Sequence, residues 1–163
     1  MKMNILPCAV LAGTVLLAMP ALAQDGGGAD SNMEILIQKV KADKKLVVAD
    51  GMRLSDADGK KFWPLYDNYQ KELTQLNQRL GSVIKAYSEA HLAGRGMISN
   101  EKATVLLNEA LAIEEAEVKA KQAYAQELGK VLPATAVARA VQIETKIRAA
   151  IKFELAGQIP LVY

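Results

Sequence analysis

A heptad pattern of apolar residues constrains the fold of this chain more than any other feature of its sequence. Between residues 62 and 87 the apolar positions are separated by alternating steps of four and three residues. That spacing places them on one face of a long helix and is typical of helices that pack side by side along a seam. The seam positions are Phe62, Tyr66, Tyr69, Leu73, Leu76, Leu80, Val83 and Tyr87.

Helix-capping and helix-breaking residues divide the chain into four predicted helices. The seam helix covers residues 55–92, because Ser55 and Asp58 form a capping box at its start and glycines follow its end. We therefore expect an all-α fold, an elongated antiparallel helical hairpin with two flanking helices. The other three predicted helices cover residues 33–49, residues 101–131, and residues 133 or 134 to 156.

The sequence does not decide the backbone conformation at two points in these helices. Pro64 lies inside the long helix, where proline removes one backbone hydrogen bond and clashes with the preceding turn. Either the helix kinks there, with the neighbouring rings filling the wedge, or a short capped turn precedes the long helix at an angle. In the first helix, residues 46–48 include two valines and are also compatible with an extended conformation.

The first 23 residues have the pattern of a secretory signal peptide. Lys2 precedes an apolar run, and the run ends in Ala21-Leu22-Ala23, the small-residue pattern that precedes cleavage. Residues 24–32 are rich in glycine and are predicted to be a flexible leader, so residues 33–163 form the single predicted domain. We expect an exported, periplasmic protein; a retained membrane anchor is the alternative.

Cleavage at that site leaves a chain without cysteine and nearly without net charge. Cys8 is the only cysteine and lies in the predicted signal peptide, so disulfides, thiol nucleophiles and cysteine-based zinc sites are excluded from the mature chain. The sequence has 20 basic and 18 acidic residues, so the protein has no strong positive electrostatic field that would attract nucleic acid. Motifs of catalytic or phosphate-binding sites do not occur, and we expect neither an enzyme nor a bound cofactor.

An aromatic cluster lies in the segment KFWPLYDNY, which holds four of the eight aromatic residues of the chain. Phe62, Tyr66 and Tyr69 fall on the seam, and this favours the core. Trp63 lies about 100° around the helix from Phe62. It therefore either packs on a second face or remains partly exposed as a contact for another protein.

Three polar groups have ordinary structural explanations. Glu144 lies on the apolar face of the last predicted helix, four residues before Arg148, and this spacing suits a paired or hydrogen-bonded buried carboxylate. Residues 114–117 (EEAE) are typical of a solvated acidic face. Residues 39–45 (KVKADKK) form a basic flank that is either solvated or meets acidic partners or anionic lipid.

His91 and Met97 are weak candidates for a metal site. They lie six residues apart, across the predicted turn that follows the seam helix. Imidazole and thioether groups suit a soft metal. A single histidine at a helix end is nevertheless more often a surface residue, so no metal site is predicted.

The layout of the chain resembles the Spy/CpxP family of periplasmic helical stress proteins. The resemblance rests on an exported, cysteine-free chain in which LSDADGKKFWPLYDNY opens a long helix and VLPATAVARAVQIETKI opens the last one. In that family short L-T-x-x-Q segments start helices; residues 54–58 share the Leu and the hydroxyl, with Asp58 in place of the Gln. The resemblance implies four helices in long, curved hairpins that pair into a cradle. It also implies ATP-independent binding of unfolded envelope proteins, or modulation of an envelope-stress sensor.

The residues and the resemblance together predict a protein that holds or adapts other proteins through an apolar surface edged with aromatic rings. Its expected partners are unfolded or envelope proteins, including a stress sensor, and the chain is expected to form a homodimer. A metal-responsive sensor domain and a structural envelope component are the alternatives. The predicted contact residues are Trp63, Leu65, Tyr66, Tyr69 and Phe153.

Overall fold

Every regular element in the described part of the protein is an α-helix. The computed structural model describes residues 26–162, with side chains from residue 35 onward except residue 41, so the predicted signal peptide lies outside this range. No strand occurs within residues 26–162, and the all-α prediction is confirmed. The helices are α1 (Gly26–Met52), α2 (Asp56–Ala93), α3 (Asn100–Gly129) and α4 (Ala134–Ala156).

α1 is interrupted at Asp43. The backbone of this residue is extended, with φ −160° and ψ 97°, and its carboxylate accepts a hydrogen bond of 2.9 Å from the backbone N–H of Leu46. Asp43 thus acts as the N-cap of a second helical segment, because a side-chain oxygen satisfies a free amide of the first turn. The prediction of a single uninterrupted first helix is therefore wrong. We refer to residues 26–42 as α1a and to residues 44–52 as α1b.

The start and middle of α1 also differ from the expectations. α1 begins at Gly26, so helix covers most of the stretch for which a flexible leader was predicted. Glycine is about 1 kcal/mol less favourable than alanine inside a helix, which is why the glycines indicated a leader. Residues 46–48 are helical and Val48 is buried, so the extended alternative is wrong.

α2 begins at the predicted capping box. Ser55 Oγ accepts a hydrogen bond from the backbone N–H of Asp58 at 3.2 Å and donates one to the Asp58 carboxylate at 3.0 Å. The helix then runs through the exposed Pro64 as one element as far as Ala93. The alternative of a separate short turn before the long helix is therefore wrong.

The seam of α2 forms the centre of the core. Most of its members are buried, while Leu80 and Val83 are half-buried. The seam prediction is confirmed, because the heptad spacing places these side chains on the face that meets the other helices. The buried side chains that pack with the seam from α1, α3 and α4 include Val48, Met52, Ile113, Tyr124, Leu128 and Ile147.

α3 and α4 begin and end close to their predicted bounds. Ser99 Oγ caps α3 by accepting a hydrogen bond of 3.2 Å from the backbone N–H of Lys102. Pro133 is the N-cap residue of α4, and Gly157 follows its last turn. The predicted end signals, a hydroxyl before α3 and a glycine after α4, thus mark the observed bounds.

Side-chain pairs show how the helices lie against one another. α2 packs on α3, where Tyr69 stacks on Tyr124 and Arg79 lies 2.9 Å from Glu109. From the first pair to the second, the residue number rises along α2 and falls along α3. The two helices are therefore antiparallel. α4 contacts both α1 and α3. Within residues 26–162 no helix is both long and apolar enough to cross a membrane.

Two turns hold an arginine in the left-handed backbone conformation. Arg53, directly after α1, has φ +48°, and Arg95, after α2, has φ +55°. The backbone N–H of Arg53 donates to Ala49 O at 3.1 Å, which closes the last turn of α1. This conformation costs about 1 kcal/mol or more for a residue with a Cβ atom, so the turn between α1 and α2 is a strained position.

Candidate protein-binding site

A groove of about 550 Å³ lies where the end of α1 meets the start of α2. Its volume falls within the range of roughly 300–1,000 Å³ that is typical of ligand sites. Most of its walls are apolar, and Lys60 and Asp56 supply charge at its edge. The lining residues are Ala49, Met52, Leu54, Ser55, Asp56, Gly59, Lys60, Trp63 and Pro64. We call this the Trp63 groove.

Trp63 is half-buried and borders this groove. Its ring meets Phe62 with centroids 5.0 Å apart at 77°, and Tyr66 with centroids 5.5 Å apart at 89°. These edge-on contacts fix the orientation of the indole. Lys45 Nζ lies 4.9 Å from the indole centroid and also 3.0 Å from Asp67, which attaches α1b to α2 beside the ring. Trp63 thus packs against the core on one side and lines the groove on the other.

The other predicted contact residues are divided between the core and the surface. Tyr66 and Tyr69 are 2% and 3% exposed. Their seam positions place them in the core, and Tyr69 also lines a second pocket, between α2 and α3. Leu65 is half-buried and lines the same pocket. Phe153 is 58% exposed on α4 and lines neither the groove nor that pocket.

The second pocket has a volume of about 100 Å³. The rings of Tyr69 and Tyr124 line it and stack in parallel, with centroids 4.4 Å apart and an interplanar angle of 3°. A more open groove of about 450 Å³ continues along the same two helices and shares Glu72, Ala120 and Ala123 with the pocket. The lining residues are Leu65, Asn68, Tyr69, Glu72, Ala120, Ala123, Tyr124 and Glu127. We call this the Tyr69–Tyr124 pocket.

Two partly buried groups of charged and polar side chains connect the helices. In the first, Lys44 Nζ lies 3.1 Å from Glu144 Oε2 and donates a hydrogen bond of 2.7 Å to Gln70 Oε1. In the second, Arg148 forms an ion pair with Glu117 and donates to an α2 side chain, Asn77, at 2.9 Å. Both groups join three helices through α4, so their first role is to fix how the helices meet.

Two sequence interpretations are corrected by these pairs. Glu144 is buried and paired as expected, but its cationic partner is Lys44 of α1 and not Arg148 on its own helix. The side chain of Glu117 is only 12% exposed, because Arg148 and Lys152 approach it from α4. The solvated acidic face predicted for residues 114–117 is therefore wrong at Glu117.

The basic flank predicted over residues 39–45 is partly used within the protein. Lys44 is paired with the buried Glu144, and Lys45 is paired with Asp67 while it covers the Trp63 ring. These two lysines help to position α1b against α2 and α4. One of the alternatives required the whole flank to be solvated, and that alternative is wrong for Lys44 and Lys45.

Burial shifts the pKa of several groups near Glu144. It lowers the pKa of Lys44, against the opposing effect of the Glu144 charge. It raises the pKa of Tyr66, Tyr69 and Tyr124 well above the usual tyrosine value, and the charge of Glu144 acts in the same direction. The hydroxyls of Tyr69 and Tyr124 have no hydrogen-bond partner among the described residues. Three neutral phenols thus surround a buried carboxylate.

Glu144 lines neither the Trp63 groove nor the Tyr69–Tyr124 pocket. A general acid or base must come within hydrogen-bond reach of a reacting group. A carboxylate that is 1% exposed and held by a lysine and a glutamine has instead the setting of a structural residue.

The candidate metal ligands lie in different settings. His91 is half-buried in the last turn of α2, with its ring centroid 5.6 Å from that of Tyr87. Met97 is 64% exposed in the turn that follows. In the part of the chain that the structure describes, no group of three or more His, Cys, Asp or Glu side chains is arranged to hold a metal ion.

Met52, Leu54 and Pro64 line the Trp63 groove but were not predicted as contact residues. One signal for Leu54 was available, because it directly precedes the N-cap Ser55, where apolar residues often pack on the first turn of a helix. Met52 and Trp63 line the same groove because the chain turns at Arg53, and no local sequence pattern predicts that turn.

Comparisons of the chain with protein-family models, with curated proteins and with solved structures found no match. The resemblance to the Spy/CpxP family therefore remains a prediction from the sequence.

Proposed function

We propose that this protein binds segments of other polypeptides, without ATP, through the Trp63 groove. The observation that carries the proposal is the half-buried indole, which is held edge-on by two core rings and borders an open groove. A ring that is already fixed in place loses little conformational entropy when a partner covers it. For this reason tryptophan is frequent among the residues that dominate binding energy at interfaces. This activity requires no cofactor and no catalytic group.

The proposal includes the arrangement and the location expected from the sequence. We propose that α2 and α3 form a long hairpin, that α1 and α4 flank it, and that the chain reaches the periplasm after cleavage of residues 1–23. The clients we propose are unfolded or envelope proteins, including a stress sensor. Mass determination of the protein recovered from the envelope tests the cleavage, since a retained segment contradicts it.

We further propose a homodimer that uses an apolar stripe on α3. Leu107, Leu111 and Val118 are each more than half exposed and lie within about 40° of one another around the helix. Exposed apolar patches of this kind often mark protein–protein contacts. Sedimentation should show a dimer for the wild type and a monomer for Leu111→Lys. A wild type that is monomeric at micromolar concentration contradicts the dimer.

The test of client binding is the suppression of aggregation. Light scattering from a heat-unfolded model client is followed without ATP while purified protein is added. We expect suppression near an equimolar ratio, and clearly weaker suppression by Trp63→Ala. Leu92→Ala is the matched control, because Leu92 is a large apolar side chain, 75% exposed, that does not line the groove.

Circular dichroism is recorded for each variant, so that loss of structure is not mistaken for loss of binding. A wild type that is folded and helical but does not suppress aggregation contradicts the proposal. Equal suppression by the wild type and by a folded Trp63→Ala variant contradicts the assignment of the groove. Phe153→Ala, measured in the same way, tests the remaining exposed residue that the sequence predicted as a contact.

A further inference from the structure

We infer that the Tyr69–Tyr124 pocket binds a basic side chain of a bound polypeptide, so that lysine or arginine residues decide which segments the protein holds. This inference rests on the proposed function and adds a second, charge-selective contact to the apolar one. The pocket lies between α2 and α3, and its lining residues differ entirely from those of the Trp63 groove.

The walls of the pocket suit the stem of a long basic side chain. Leu65, Ala120 and Ala123 provide apolar surface, along which the methylene groups of lysine or arginine can lie. The rings of Tyr69 and Tyr124 stack on each other, so each covers a face of the other and both are almost fully buried. The apolar lining therefore suits a slender methylene stem, and its preference for a cation depends on the polar groups around the pocket.

The charges around the pocket are complementary to a cation. Glu72 and Glu127 both line it. Glu127 Oε1 lies 2.5 Å from Lys130 Nζ, whereas Glu72 has no ion-pair partner among the side chains that the structure describes, residues 35–40 and 42–162. Lys119 lines the adjoining groove, but it is paired with Glu115 at 2.5 Å. The unpaired charge at this place is thus the carboxylate of Glu72.

The two rings of the pocket also have unused hydrogen-bonding capacity. The hydroxyls of Tyr69 and Tyr124 lack a partner within the described residues, although both side chains are at least nine-tenths buried. Ammonium and guanidinium groups are donors only, and a phenol oxygen can accept from them. Arg148, whose charge acts on Tyr69 from α4, is paired with Glu117.

The open groove next to the pocket favours a polypeptide over a free amine as the source of the cation. It runs on from Glu72 past Leu76 and Ala116 with a volume of about 450 Å³. An extended chain whose basic side chain entered the pocket would have room for its neighbouring residues along α2 and α3. A small free amine would leave this groove empty and bury less apolar surface.

Fluorescence anisotropy with matched peptides tests the inference. Three labelled peptides share one apolar sequence and carry lysine, arginine or norleucine at the central position, norleucine being the uncharged counterpart of the lysine stem. We expect the two basic peptides to bind about three- to tenfold more tightly than the norleucine peptide, from one partly exposed ion pair and one hydrogen bond to a phenol oxygen. The full-length protein is used throughout.

Glu72→Gln should remove this preference and leave the norleucine peptide bound as before. The matched control is Glu89→Gln, which makes the same charge change on α2 at an exposed position outside the pocket. Equal binding of all three peptides by the wild type overturns the inference. The proposed function still stands in that case, provided that Trp63→Ala weakens all three peptides.

A second measurement distinguishes a polypeptide from a small cation. The melting temperature is measured with n-butylammonium and, as the uncharged control, with n-butanol. If no peptide binds but butylammonium alone raises the melting temperature, and Glu72→Gln abolishes that rise, the pocket takes a free cation and the polypeptide source is overturned. If neither peptides nor butylammonium bind, the pocket itself is overturned together with the proposed function.

Discussion

Lys44 and Glu144 lie 100 residues apart in the sequence and form an ion pair between α1 and α4, with Nζ 3.1 Å from Oε2; the carboxylate is buried and the lysine is partly exposed. Gln70 of α2 contacts both partners, accepting from Lys44 at 2.7 Å and donating to Glu144 at 3.4 Å. One carboxylate thus connects three helices. A buried pair adds little net stability compared with apolar side chains, but removal of one partner leaves a buried charge without compensation.

Lys44→Met is therefore expected to lower the free energy of unfolding by about 3–5 kcal/mol. The double variant Lys44→Met/Glu144→Leu should regain most of that loss, because it buries no charge at this site. Urea unfolding of both variants checks the prediction. A loss below about 1 kcal/mol in the single variant would show that Glu144 does not depend on Lys44.

Two tyrosine-to-phenylalanine variants should have opposite outcomes although they remove the same atom. Tyr66→Phe removes a hydroxyl on which the charge of the buried Glu144 acts and which, unlike that of Tyr124, is not a buried atom without a partner. We expect it to lower the free energy of unfolding by about 1 kcal/mol. Tyr124→Phe removes a buried hydroxyl that has no hydrogen-bond partner in the described structure. It should leave the free energy of unfolding unchanged or raise it by about 1 kcal/mol. Denaturant unfolding at pH 7 compares them, and an equal loss in both contradicts the assignment.

Above about pH 10 the protein should lose stability steeply. Tyr66, Tyr69 and Tyr124 have a raised pKa in the folded chain, so the unfolded chain releases three protons that the folded chain retains. Their contribution is complete below the unfolded pKa of about 10 and is lost as the pH rises towards the folded pKa. Lys44 opposes them with one proton, because its folded pKa is lowered.

The net effect of three tyrosines and one lysine is a slope of about 2–3 kcal/mol per pH unit. Denaturant unfolding at pH 9, 10 and 11 measures it. In Tyr124→Phe the slope should be smaller by about 1.4 kcal/mol per pH unit, since one retained proton is missing. A stability that is constant between pH 9 and 11 would show that these phenols ionise as readily in the folded chain as in the unfolded chain.

Arg53→Gly should stabilise the turn between α1 and α2. Arg53 has φ +48°, which glycine adopts without the steric cost that a Cβ atom incurs. We expect the melting temperature to rise and the free energy of unfolding to increase by about 0.5–1 kcal/mol. Arg53→Ala serves as the control, because it removes the same charge but keeps the Cβ atom. If both variants behave alike, the effect comes from the charge and not from the backbone.

The core of α2 was predictable because its signal lies within one helix. The heptad spacing places Phe62, Leu73 and Tyr87 on one face, and the structure buries all three. The partner of Glu144 was not predictable, since its pairing with Lys44 depends on how α1 and α4 meet. Local periodicity contains no information about which distant helix approaches a given face.

The candidate site was predictable only in part. Clustered rings identified Trp63, and its angle from the seam indicated partial exposure. The other walls of the groove come from the turn at Arg53, and arginine gives no sequence signal for a left-handed conformation. The break at Asp43 had a weak signal, an aspartate that can cap a helix, within a stretch that otherwise has the composition of continuous polar helix.

The break at Asp43 means that the rotational phase of α1a is not transmitted to α1b. In an unbroken helix, one inserted residue turns everything beyond it by about 100°. Here an insertion or deletion before Asp43 would leave Lys44, Val48 and Met52 in their present orientation, because the extended backbone of Asp43 resets the helix. The segment before the break can therefore change in length during evolution, or carry an engineered fusion, without disturbing the ion pair between Lys44 and Glu144.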